Sequence, residues 1–216
     1  LIWINKSGEG HLFASLRCME YINLKTVILN NEAFLKISDS DKMRPFFMSI
    51  LSDSNHWMFI GSNGGLSAGR KDAEQALFPY YTDDKIIESA ELTGSKTIFR
   101  IQKEGKTHLW EPFSIRYTNL YNLQRNLYKN IYGNKIVFEE VNADLNLTFQ
   151  YQWCSSDLYG FVKSSRLIND SATEITLSLV DGIQNILPYG VGSALQSQRS
   201  NLVDAYKRSE LDTESG

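Results

Sequence analysis

Long apolar runs, basic blocks, cysteines and prolines are all scarce in this chain of 216 residues. The longest apolar stretches are as short as "PFFMSIL" (residues 45–51), against the roughly 20 residues a membrane-spanning helix needs, so no segment is expected to cross a bilayer as a helix and no membrane partner is assigned. The net charge is −3 and no run of Lys and Arg forms a phosphate-tracking surface, which removes nucleic acid from the expected partners. The two cysteines, Cys18 and Cys154, lie far apart beside apolar or aromatic neighbours. That pattern suits small buried thiols better than a disulfide framework or a metal site. His11 and His56 have no Cys, Asp or Glu at ligand spacing, so no metal and no cofactor is expected. These features leave the compartment open between a bacterial cytoplasm and a periplasm.

What the chain does have is tyrosine and phenylalanine, 11 of each against 4 prolines, a balance that leans toward sheet. Alternation is the dominant signal from about Lys96 onward. In "LNLTFQYQW" the residues Leu145, Leu147, Phe149, Tyr151 and Trp153 are apolar or aromatic while Asn146, Thr148, Gln150 and Gln152 are polar, a period of two with one face buried and one toward water. "TEITLSL" reads as a further strand with Ile175, Leu177 and Leu179 inward. "TIFRIQKEGKTHLWEPF" reads as a hairpin turning at Lys103 to Gly105, and "LYKNIYGNKIVFEEV" as another turning at Gly133 and Asn134. The short runs "KTVIL", "FFMSIL" and "WMFIG" bring the expectation to about nine or ten strands. The fold class is therefore all-β, a large two-sheet antiparallel sandwich. It ends in a helix: Ser193 followed by Gln196 fits a capping box, and Leu195, Leu202, Val203 and Tyr206 then recur at helical spacing. The expected division is a sandwich over residues 1–192 and a helical linker over 193–216.

The stretch "HWMFIGSNGGLSAGRKDAEQALFPYYTDD" (residues 56–84) crowds glycines, aromatics and charges together. Gly64 and Gly69 have the spacing of a phosphate loop, but Arg70 and Lys71 stand where such a loop carries Lys and a magnesium-ligating hydroxyl, so nucleotide binding is not expected. Asn63, Gly64 and Gly65 also suit a plain turn with positive φ. Asn63, Arg70, Tyr80, Tyr81, Asp83 and Asp84 are planar hydrogen-bonding and stacking side chains of the kind that hold sugars. With Trp110 and Glu111 of "THLWEPF" they form the candidate substrate-binding set. His108 and Glu111 lie three residues apart, on opposite faces of an extended strand, so they do not make an acid and base pair. Glu139 and Glu140 alternate faces too, one expected toward solvent and one locally paired, not a hydrolytic dyad. No glycine-flanked serine nucleophile occurs, and no catalytic residue is assigned. Trp57, Trp110 and Trp153 fit core packing better than stacking platforms.

From Tyr132 to Val191 the chain runs through a strand rich in alternation, an aromatic-Gly-Phe-Val strand ending in "RLIN", and "EITLSLVDGIQNILP". This stretch resembles the galactose-mutarotase-like β-supersandwich domain that precedes an (α/α)6 toroid in bacterial glycoside hydrolases and phosphorylases of the cellobiose-phosphorylase type. The resemblance implies a noncatalytic N-terminal domain whose loops border a carbohydrate site, with the catalytic carboxylates on the toroid of the same parent chain. The implied partners are carbohydrate and that C-terminal catalytic domain, with a homodimer as a further arrangement. Asp181, Gln184 and Asn185 read as structural. No His and Glu pair on facing strands supports independent epimerase activity. A self-sufficient carbohydrate-binding or mutarotase-like module and a structural oligomerisation domain are the alternatives.

Overall fold

The computed structural model describes residues 24–79, 82–117 and 119–199, with Leu202, Val203 and Ala205 beyond them, and only the backbone of Asp83 and Ser197. Among these residues there are twelve strands, not nine or ten: β1 (Leu24–Leu29), β2 (Glu32–Ile37), β3 (Phe47–Ile50), β4 (His56–Gly61), β5 (Leu66–Arg70), β6 (Gly94–Lys103), β7 (Lys106–Trp110), β8 (Leu123–Asn130), β9 (Lys135–Asn142), β10 (Leu147–Ser156), β11 (Gly160–Asn169) and β12 (Thr176–Gln184). Two short helices accompany them, α1 (Asp83–Glu88) and α2 (Ser193–Gln198). All strand pairs are antiparallel. The fold is an all-β sandwich with a small C-terminal helix. One layer is the six-stranded sheet β1-β2-β8-β9-β10-β11; the other is divided into the three-stranded sheets β12-β6-β7 and β3-β4-β5.

The alternation in β10 decides how the layers meet. Leu147, Phe149, Tyr151 and Trp153 all point inward and, with Leu145 just ahead of the strand, are buried. They pack with Ile136 and Phe138 of β9 against Met58 and Ile60 of β4, Leu66 and Ala68 of β5, and Phe99 and Ile101 of β6 in one continuous core. Aromatic edges lock the layers: Phe99 meets Phe149 with centroids 5.3 Å apart and Phe78 meets Trp153 at 6.3 Å, both edge to face. Each fully buried aromatic of this kind contributes on the order of 3–5 kcal/mol, the usual cost of truncating one to alanine.

The β6–β7 hairpin turns where expected, at Glu104 and Gly105, both with positive φ. The β8–β9 hairpin has a longer turn over residues 131–134 in which Gly133 alone takes positive φ; Asn134 instead donates its amide to Asn130 Oδ1 at 3.0 Å. Leu179 is not inward but 54% exposed. β12 is an edge strand, and the row that begins with Leu177 comes out to the surface and turns polar at Asp181, which is tied to Thr97 Oγ1 at 2.6 Å and to Lys163 at 2.5 Å. Asp181 therefore does hold structure, as do Gln184, whose Nε2 donates to the Glu91 carbonyl, and Asn185, whose Nδ2 donates to Thr93 Oγ1.

The capping box at Ser193 does not form. Gly192 is the N-cap, and the Glu74 carboxylate, from a separate turn, accepts from the Ser193 amide at 3.1 Å and from its hydroxyl, while Gln196 reaches back to the Val191 carbonyl. A long-range carboxylate thus replaces the local cap. Asp83 and Asp84 open a helix and do not sit in a loop, as acidic residues after Thr82 favour at a helix N-terminus. Cys154 is a free thiol on the outward row of β10, half-buried and outside the core; Cys18 and His11 lie outside the described residues.

Candidate functional site

Strand register places one row of polar side chains on the outward face of the six-stranded sheet. Asn126 pairs with Glu139, Glu139 with Gln150, and Gln150 with Arg166, across β8, β9, β10 and β11. The adjacent row runs Tyr128, Val137, Gln152 and Ser164. Phe34, Tyr128 and Val137 form a small apolar cluster on this face. The β1–β2 turn stands beside that cluster, and between the turn and β11 lies a cleft of about 370 Å3.

The cleft has an apolar end at Ile28, Leu29 and Phe34 and a polar wall of Gln150, Gln152, Ser164, Ser165 and Arg166. Glu32 and Lys135 also line it and form an ion pair, yet Glu32 Oε2 is buried with no hydrogen-bond partner among the described residues. Such an acceptor costs on the order of 1–3 kcal/mol unless something donates to it. Gln150 is held from below: its Nε2 donates to Glu139 Oε2 at 2.5 Å, while Asn126 Nδ2 and the Tyr128 hydroxyl donate to Glu139 Oε1 at 2.8 and 2.7 Å. Burial and this carboxylate push the Tyr128 phenol far above its ordinary range, which keeps it a donor at every physiological pH. Glu139 therefore fixes the orientation of the Gln150 amide, whose carbonyl oxygen has no partner among the described residues. Neither Glu139 nor Glu140 faces solvent, contrary to the expectation for one of them.

Glu140 points the other way, into the core. Its carboxylate accepts from Trp110 Nε1, the Phe113 amide and Arg125 Nε, each at 2.7 Å. It is a structural hub, with both carboxylate oxygens taken up by donors from three different elements. The two carboxylates sit on opposite faces of one strand and cannot address a common substrate.

The sequence-predicted residues are not brought together. Asn63 turns inward to its own loop, donating to the Ile87 carbonyl at 2.7 Å and accepting from the Gly65 amide at 3.3 Å, so it fastens α1 to the β4–β5 turn. The close approach requires glycine: a Cβ on Gly65 would stand 2.0 Å from the Ile86 carbonyl oxygen. Arg70 ends β5 exposed, in register with His56. Asp84 accepts from Thr82 Oγ1 at 2.5 Å, and that hydroxyl, with the Lys85 amide, holds its carboxyl below the usual range. Trp110 is fully buried, stacked on Phe99 with centroids 5.3 Å apart. Glu111 is buried and pairs with Lys96, which also binds Glu91 at 3.0 Å. Tyr80, Tyr81 and the side chain of Asp83 lie outside the described residues. None of the described members lines the cleft.

No family model matches the chain, and no curated protein matches it. The cleft residues were within reach of the sequence: Gln150 and Gln152 belong to the polar half of the clearest alternation in the chain, and Arg166 stands on the next strand's outward row. Only the pairing of β10 with β11 joins them.

Proposed function

We propose that this chain is a noncatalytic β-sandwich domain of a carbohydrate-active enzyme, contacting carbohydrate through the cleft on the outward face of its six-stranded sheet. The single observation that supports the reading most is the preset amide in the cleft: Gln150 is oriented by Glu139, on a wall that also carries Gln152, Ser164 and Ser165 and faces the Glu32 and Lys135 ion pair. Sugar hydroxyls both donate and accept, and a carboxylate beside amides and a hydroxyl satisfies that alternation. The apolar floor at Phe34 and Val137 takes the C–H side of a ring. At about 370 Å3 the cleft falls at the small end of the roughly 300–1,000 Å3 that ligand sites occupy, room for one or two rings.

Bond-making chemistry is assigned to another part of the parent protein, a glycoside hydrolase or phosphorylase in this reading. Among the described residues, the two carboxylates buried deepest are engaged in holding structure, Glu140 by three donors and Glu111 by Lys96. Isothermal titration of the folded chain with a panel of mono- and disaccharides tests the proposal. Binding heat that is lost in Gln152→Ala, a half-buried cleft residue, is the expected result. A folded chain that takes up none of the panel overturns it.

A further inference from the structure

The charges in the cleft are unbalanced in a way that selects among sugars. Three charged side chains line it, Glu32, Lys135 and Arg166. Glu32 and Lys135 neutralise each other in their ion pair. Arg166 makes no ion pair or hydrogen bond with any described residue and is exposed at the opposite wall. The carboxylate in its own cross-strand row, Glu139, lies two strands away, roughly 10 Å at the usual strand spacing, and already accepts from three neutral donors. Asp181, on β12, is taken up by Thr97 and Lys163.

Resting on the carbohydrate reading above, we infer that the cleft takes a carboxylate-bearing sugar, a uronic acid residue, with its carboxylate on the Arg166 guanidinium and its ring hydroxyls toward Gln150, Gln152 and Glu32. The guanidinium fork matches a planar carboxylate with two parallel N–H donors, a geometry that no other cleft side chain offers. Ser164 flanks Gln152 in the neighbouring row, so a hydroxyl is at hand for the same end of the ligand. The paired Glu32 and Lys135 at the far end give the sugar hydroxyls an acceptor without adding net charge to repel an anion.

The test compares glucuronate, glucose and glucose 1-phosphate by titration into the whole chain and its Arg166→Ala and Arg166→Lys variants. Arg166 is exposed on an edge strand, so neither substitution threatens the fold, and matching circular dichroism and melting curves verify that. Glucuronate is expected to bind at least about tenfold more tightly than glucose, the ratio that one charge-assisted hydrogen bond supplies. Arg166→Ala is expected to bring the two together, with Arg166→Lys between. Equal affinity for glucose and glucuronate, unmoved by Arg166→Ala, overturns the inference and leaves the carbohydrate reading standing. Tightest binding of glucose 1-phosphate overturns the assignment to a carboxylate. Binding of none of the three, or of any larger sugar, overturns both.

Discussion

Glu140→Gln is the substitution that separates a structural carboxylate from a chemical one. The wild-type side chain is fully buried and accepts at 2.7 Å from Trp110 Nε1, the Phe113 amide and Arg125 Nε. Glutamine keeps the shape but offers one acceptor oxygen and one NH2 group, so at least one of the three donors faces another donor. Arg125, its side chain only 19% exposed, also loses its counter-charge, although its Nη2 keeps the Ser114 carbonyl at 3.0 Å. Breaking a buried pair by removing one partner costs about 3–5 kcal/mol, and the partial exposure of Arg125 places this case near ~3 kcal/mol. For a domain of this size that corresponds to a fall in melting temperature of about 6–12 °C. Urea unfolding followed by tryptophan fluorescence measures it, with the slope unchanged and the midpoint lowered. Glu139→Gln costs less in the same assay, because its three donors are neutral and no buried cation is left behind. A loss below about 1 kcal/mol for Glu140→Gln refutes the hub, since an interaction network that can be halved without cost is not holding the layers together.

Two further substitutions probe other joints of the fold. Gly65→Ala forces a methyl group against the Ile86 carbonyl oxygen, so α1 must move away from the β4–β5 turn; destabilisation by about 1–3 kcal/mol is expected from the melting curve, and a neutral result refutes the close approach. Glu91 tests the acid limb. Burial alone raises its carboxyl, but the Ile115 amide, Lys96 and Ser114 outweigh that and hold it below the ordinary range. A carboxyl lowered in the folded state contributes stability above its unfolded value, near pH ~4, and loses it as pH falls through the folded one. Stability curves of wild type and Glu91→Gln are therefore expected to differ at neutral pH and to converge below pH ~4; parallel curves across that window contradict the assignment.

The framework of the sandwich is readable because β10 states its own period: each inward residue from Leu145 to Trp153 is buried, and the hairpin at Glu104 and Gly105 announces itself by composition. The helix α1 is not, since six residues beginning with two aspartates carry too little apolar periodicity to stand out from a loop. The cap on α2 escapes a local reading because its acceptor, Glu74, comes from more than a hundred residues away, while Ser193 and Gln196 imitate a motif they do not form. The candidate site fails for a related reason. Asn63, Trp110 and Glu111 have sugar-binding chemistry, but the loops and strand ends that carry them spend it on Ile87, Glu140 and Lys96. Residue type shows what a side chain can do; register and burial decide whether it is still free to do it. Gln150, Gln152 and Arg166 become a set only when β10 and β11 are paired.

The measurement closest to the central claim is a 15N-resolved titration of the whole chain with mono- and disaccharides, following the side-chain NH2 resonances of Gln150 and Gln152 and the backbone amides of Ser164 and Arg166. Saturable shifts confined to these groups and to the β1–β2 turn, with the loop after β5 and α1 unmoved, are the predicted result. Shifts centred on Arg70 and Asp84 instead, or none on the cleft at saturating sugar, contradict the account.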